Sequence, residues 1–170
     1  KRRYQEIIEG LSLSISLEED FSEIVRRLMA GDSLDYAASR GEYLNARVMA
    51  EYLGFPFIDA EQLIFFSGDS CDFEKTEEVA KSVLSSVEYA VIPGFYGVNE
   101  NGKVVTFSRG GSDVTGSLIA AAVYADLYEN WTDVSGFLVS DPHIVEKPEV
   151  IDYITYRELR ELSYMGAGVL

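Results

Sequence analysis

The chain of 170 residues is 47% hydrophobic and carries 14 basic against 29 acidic side chains, a formal net charge of −15. Such a length and composition suit one ordinary domain with a buried core, and so many carboxylates repel a polyphosphate backbone, which excludes nucleic-acid binding as the main task. A single cysteine, Cys71, and a single histidine, His143, exclude an internal disulfide framework and speak against a thiolate or histidine metal site.

Apolar residues at helical spacing predict two surface helices first, over YQEIIEGL and LEEDFSEIVRRLMAG, the second with the stripe Phe21, Ile24 and Leu28. A long helix then runs from Asp32 or Ser33, either of which supplies an N-cap, to Gly54 at the C-cap, with Gly41 an awkward interior residue. FPFIDA and QLIFFS read as short buried strands, DFEKTEEVAKSVLSSV as an amphipathic helix beginning near Asp72, and YAVIPGF as a strand ending at a Pro-Gly break. YGVNENGKVVTF pairs two strand-like runs about an Asn-Gly turn, a strong hairpin signal. VVTFSRGGSDVTGSLIAAAVYA leaves a strand, turns tightly and enters a buried helix. Its apolar run, Leu118 to Ala125, is the longest in the chain and far short of the roughly 20 residues that cross a bilayer, so a cytoplasmic protein with no membrane role is expected. LYENWTDVSGFLVSDP predicts a strand and a glycine break, with Trp131 packed, and TYRELRELSYMGAGVL a helix capped at Thr155 and ending near Gly166.

Strands separated by helices imply parallel crossovers, with helices on both faces of the sheet. The expected fold is therefore α/β, a three-layer α/β/α sandwich with a mainly parallel sheet, formed by one domain without internal repeats. Ligands bind beyond the carboxyl ends of the strands in such sheets. Three glycine-bearing turns fall there: Pro93-Gly94-Phe95, Arg109-Gly110-Gly111-Ser112-Asp113 and Thr132-Asp133-Val134-Ser135-Gly136. In the second, paired glycines let the backbone approach a ligand, unpaired amides at the helix start attract a carboxylate or phosphate, and Arg109 adds a bidentate grip on a carboxylate. Read alone, Asp113 is equally a helix-start carboxylate favoured by the dipole, and Glu42 equally a solvated helix residue. The spacing matches neither a Walker phosphate loop nor a dinucleotide fingerprint.

FSRGGSDVTGSLIAAAVYADLYENWTDVSGFLVSDPHIV closely resembles the core of aspartokinases, in the amino-acid kinase superfamily with its carbamate kinase-like fold. SYMGAGVL is similar to the segment that follows that core, SRGEYLNARVMAEYLG to the family's Ser-x-Gly-Glu helix, and PGFYG to its substrate-side loop. The resemblance implies ATP-dependent phosphorylation of the β-carboxylate of L-aspartate, with Mg2+, to 4-phospho-L-aspartate, the entry step toward lysine, threonine and methionine. Such a reaction brings two anions together, so catalysis is mostly alignment and charge neutralisation. By this resemblance Arg109 holds the substrate α-carboxylate, Gly110, Gly111 and Ser112 offer backbone or hydroxyl contacts, Glu42 meets the α-ammonium, and Phe95 lines the pocket. Asp113 is the implied catalytic residue, positioning the reacting groups rather than acting as a base, because a carboxylate nucleophile is already ionised at neutral pH. On the nucleotide side the resemblance assigns Thr132 and Asp133 to ATP and sets Gly136 to Asp141 beside adenine and ribose. It assigns no metal ligand, and it implies a homodimer for the complete protein.

The departures bear on the same chemistry. The family's opening strand carries a Lys-Phe-Gly-Gly stretch whose lysine neutralises the transferring phosphate, and these 170 residues contain none. His143 stands where many relatives have arginine and Gly168 where many have lysine, both changes removing positive charge from the phosphate side. The chain is therefore expected to be a partial catalytic domain that lacks the N-terminal part and the regulatory ACT domains, and to be inactive alone. Two alternatives stand beside aspartate kinase: a sister kinase acting on glutamate or acetylglutamate, and a non-catalytic amino-acid sensor that keeps Arg109 and Glu42.

Overall fold

The computed structural model describes residues 1–108, 110–131, 136–141 and 144–164, and the chain divides into two compact units, Lys1–Tyr128 and Glu129–Leu170. Three helices open the first unit, α1 (Arg2–Gly10), α2 (Glu18–Met29) and α3 (Leu34–Leu53). Of the two cap candidates Ser33 is the one used: it is extended, and its hydroxyl accepts from the Tyr36 amide at 3.1 Å. The helix stops at Gly54, whose φ of 68° is left-handed, a conformation closed to most side chains. Leu17, Leu44 and Val48 form a small core between these helices, with Tyr4, Ile8 and Phe21 packed against it.

Strands β1 (Phe65–Ser67), β2 (Ser70–Cys71), β3 (Tyr96–Asn99) and β4 (Val104–Thr106) make a four-stranded sheet in the order β2-β1-β3-β4. The α/β class holds, with a mixed sheet where a mainly parallel one was expected. β1 and β3 are parallel, joined through helix α4 (Phe73–Leu84), while β1 with β2 and β3 with β4 are antiparallel. Tight turns cause this: Gly68 and Gly102, at φ of 60° and 69°, send the chain straight back, and an antiparallel neighbour needs only such a turn. FPFIDA and YAVIPGF, expected as strands, meet only at the parallel bridge of Phe57 with Val91, since Pro56 and Pro93 have no amide with which to extend it.

The main core gathers Tyr36 from α3, Leu63 and Ile64, Phe66 from β1, Ala80 and Leu84 from α4, Tyr96 from β3, Val104 from β4, and Ala122 from helix α5 (Gly111–Ala122). α4 packs beside α5, and α3 lies against β4. Asp72 starts α4 by accepting from the Lys75 amide at 3.0 Å. At Gly97 a Cβ would stand 2.3 Å from the Ile64 carbonyl oxygen, so only glycine lets β3 lie this close to that carbonyl, which accepts from the Val98 amide at 3.0 Å.

In the second unit Leu138 bridges Val150 in antiparallel sense. Helix α6 (Tyr156–Tyr164) begins at a capping box, in which the Thr155 hydroxyl accepts from the Glu158 amide at 3.3 Å and the Glu158 carboxylate accepts from the Thr155 amide at 2.9 Å. Trp131, expected to pack, is 87% exposed, because residues 127–131 form no strand that would lay its ring on a core. No helix among the described residues is long and apolar enough to cross a membrane.

Candidate active site

Two of the three glycine turns meet, backbone against backbone. A Cβ on Gly94 would stand 2.9 Å from the Ser112 Cα, and one on Gly111 would stand 2.9 Å from the Phe95 Cα and 2.8 Å from the Phe107 Cβ. Neither contact survives a side chain, which is the physical reason for glycine at both positions. The buried Thr115 ties the turns together: its hydroxyl accepts from the Phe95 amide at 3.1 Å and donates to the Gly111 carbonyl at 2.8 Å. The Phe95 carbonyl in turn accepts from the Phe107 amide at 2.9 Å.

Gly110 caps α5 in the left-handed conformation, at φ 58°, and contributes no side-chain acceptor. Among the described residues no hydrogen bond engages the amides of Gly111, Ser112 and Asp113, the donors that gather at the positive end of a helix. Ser112 is exposed, while Asp113 and Phe95 are half-buried. Tyr128 lies over the same turn of α5, its hydroxyl 2.5 Å from where a Cβ on Gly116 would stand. Burial, and then the charge of Asp113, raise the Tyr128 phenol above its ordinary value.

Glu42 is exposed on α3 and within electrostatic reach of Tyr4, whose phenol is raised by burial and then by the Glu42 charge. Among the described residues no hydrogen bond or ion pair joins Glu42 to the glycine turns. Arg109, Thr132, Asp133, His143 and Gly168 lie outside the described residues. In the second unit Gly136 has a φ of 116° and Asp141 is exposed. Cys71 is half-buried, and burial raises its thiol, which fits an inert structural cysteine.

A second cluster escaped the sequence reading. Arg40 is only 7% exposed; its guanidinium lies 4.4, 4.9 and 5.0 Å from the ring centroids of Tyr36, Tyr43 and Tyr96 and pairs with Glu61 at 3.3 Å. Tyr96 donates to Asp59 and Tyr43 to Asp20, each at 2.7 Å. Part of this network lines a cavity of about 230 Å³. Burial and then the Asp59 charge raise the Glu61 carboxyl, with Arg40 opposing, while burial and the Asp20 bond push the Tyr43 phenol up to about 12. Each buried side-chain polar atom among the described residues has a partner, so the network is satisfied structure. Its signal was present as Tyr36, Arg40, Tyr43 and Arg47 at helical spacing along α3.

Comparison with known proteins sharpens this picture. The model of the amino acid kinase family matches residues 3–170. Aspartokinase 3 of Bacillus subtilis is 36% identical over 182 aligned residues, covering 98% of this chain and 40% of that protein. The crystal structure of Clostridium acetobutylicum aspartate kinase superposes with a TM-score of 0.93 at 55% identity, over 99% of this chain and 39% of that one. E. coli aspartokinase III, solved in complex with aspartate and ADP, shares the fold at a TM-score of 0.80 and 23% identity, over 99% of this chain and 44% of its own. The chain thus spans about 40% of the length of these relatives.

Proposed function

Because the chain belongs to the amino acid kinase family, we propose that the protein carrying it is an aspartate kinase, which transfers the γ-phosphoryl group of ATP to the β-carboxylate of L-aspartate to form 4-phospho-L-aspartate, the first step toward lysine, threonine and methionine. The observation that carries this reading is the junction of the two glycine turns, where Ser112 lies against Gly94 and Gly111 against the Phe95 backbone, and where, among the described residues, the amides of Gly111, Ser112 and Asp113 have no hydrogen bond. Donors fixed in advance at a helix start need no reorganisation when a carboxylate arrives. Likeness to two aspartokinases above 30% identity supports aspartate as the acceptor.

In this reading Arg109 and the Gly110–Ser112 amides hold the α-carboxylate, Glu42 meets the α-ammonium, Phe95 walls the amino acid and Asp113 aligns the reacting groups. Thr132, Asp133, Gly136 and Asp141 serve the nucleotide. Mg2+ would be held by the nucleotide phosphates with one or two carboxylates, as that ion commonly is, and would neutralise charge on the phosphoryl group. A catalytic domain only partly contained in this chain, a homodimeric parent and a cytoplasmic location complete the proposal.

The test is turnover by the complete protein with aspartate, ATP and Mg2+, the acyl phosphate being trapped by hydroxylamine: hydroxamate is expected to form in step with ADP. Faster turnover of glutamate or acetylglutamate would move the protein to a sister activity. Calorimetric binding of aspartate without binding of a non-hydrolysable ATP analogue would make it a sensor. The 170-residue chain alone, with no Lys-Phe-Gly-Gly stretch, is expected to show negligible transfer, since a missing charge-stabilising donor costs about 3 kcal/mol of transition-state stabilisation. Robust aspartyl phosphate formation by that chain would overturn this expectation.

A further inference from the structure

Among the described residues four non-glycine residues have positive φ: Ser12, Phe95, Tyr124 and Lys147. Three of them are exposed, whereas Phe95, at φ 82°, is half-buried between elements. A bulky aromatic in that region is an outlier that persists only where its surroundings hold it. The holding groups are identifiable. The Phe95 carbonyl is taken by the Phe107 amide, and the Phe95 amide is taken by a side chain, the hydroxyl of Thr115, which is 3% exposed. The same hydroxyl donates to the Gly111 carbonyl, so one oxygen atom sets the spacing between the Pro93-Gly94-Phe95 turn and the first turn of α5.

We propose that Thr115 is a positioning residue for the amino-acid substrate. Its hydroxyl keeps Phe95 in the left-handed conformation and the first-turn amides of α5 in place, and so governs affinity for aspartate rather than for ATP. This rests on the aspartate kinase reading for the ligand's identity. A valine at 115 would keep the shape but offer the half-buried Phe95 amide no acceptor, which lets that turn relax toward ordinary φ and carries the Phe95 ring away from the helix start.

The experiment compares Thr115→Val and Thr115→Ser in the complete protein, with KM for aspartate and for ATP measured separately and exchange at the Phe95 amide followed by hydrogen–deuterium NMR. Expected are a rise of about tenfold or more in KM for aspartate in T115V, an ATP KM within about twofold, faster exchange at the Phe95 amide, and near-normal values in T115S. Unchanged aspartate KM in folded T115V overturns the proposal, as does a parallel rise of both constants, which would mean a general structural role. If T115V does not fold, Thr115→Ala is read by the same criteria. If the wild-type protein turns over no aspartate, the functional reading fails. Thr115's role is then judged on the amide alone: faster Phe95 exchange in T115V but not in T115S upholds it, and unchanged exchange rejects it.

Discussion

The glycine junction and the Arg40 cluster both bring distant segments together, by opposite means. At the junction the segments touch because side chains are missing, at Gly94 and Gly111. Around Arg40 they touch because side chains are large and polar: one guanidinium faces three tyrosine rings and pairs with Glu61, while Tyr43 donates to Asp20 and Tyr96 to Asp59. Among the described residues the first arrangement has backbone amides with no hydrogen bond, and the second has no buried side-chain polar atom without a partner. Under the proposed function the junction meets its ligand with this unused hydrogen-bonding capacity, whereas the Arg40 cluster consumes its own within the fold.

This contrast is broken most severely at Arg40. Arg40→Met leaves the Glu61 carboxylate without its cation and is expected to cost about 3–5 kcal/mol, read as a fall in the unfolding midpoint; Arg40→Met with Glu61→Met should recover much of it, because the cost is the stranded charge and not the lost pair. An equal loss in the double variant would show instead that ring contacts dominate. Gly111→Ala comes next and should reverse the pattern: kcat/KM for aspartate falls by about 100-fold while stability falls by only about 1–3 kcal/mol. Gly110→Ala, with open space at the Cβ but φ of 58°, is the control for backbone strain without collision and should cost about 1–2 kcal/mol.

The smallest effect is expected at the edge of the Arg40 cluster. Tyr43 is raised to about 12 by burial and its bond to Asp20, so the fold favours the neutral phenol. Its contribution is complete below the ordinary tyrosine value near 10 and is lost as pH rises through about 12. Tyr43→Phe should lower stability by about 1 kcal/mol at neutral pH and flatten the alkaline limb of the stability profile. An unchanged limb would place the titrating group elsewhere.

Elements governed by neighbours a few residues apart were legible in the sequence. Ser33 and Gly54 bound α3 as the cap rules require, Asp72 opens α4, and Asn101-Gly102 turns β3 into β4. The Gly68 turn, at φ 60°, carries the same kind of local signal for the antiparallel return of β2 on β1. FPFIDA and YAVIPGF were misread because β-propensity does not register a proline's missing amide on the partner segment.

The tight turn into α5 was legible: paired glycines precede a small-residue helix, and Gly110, at φ 58°, caps a helix that begins at Gly111. Which segment lies against that start was implied only by the resemblance of PGFYG to the family's substrate-side loop, not by any local pattern. The Thr115 hydroxyl meets a Phe95 amide 20 residues earlier, and Arg40 meets a carboxylate 21 residues later. Caps and turns are short-range hydrogen-bond problems solved within one stretch of chain. Partners at such separations are chosen by how helices and strands pack, and that choice leaves no local pattern to read.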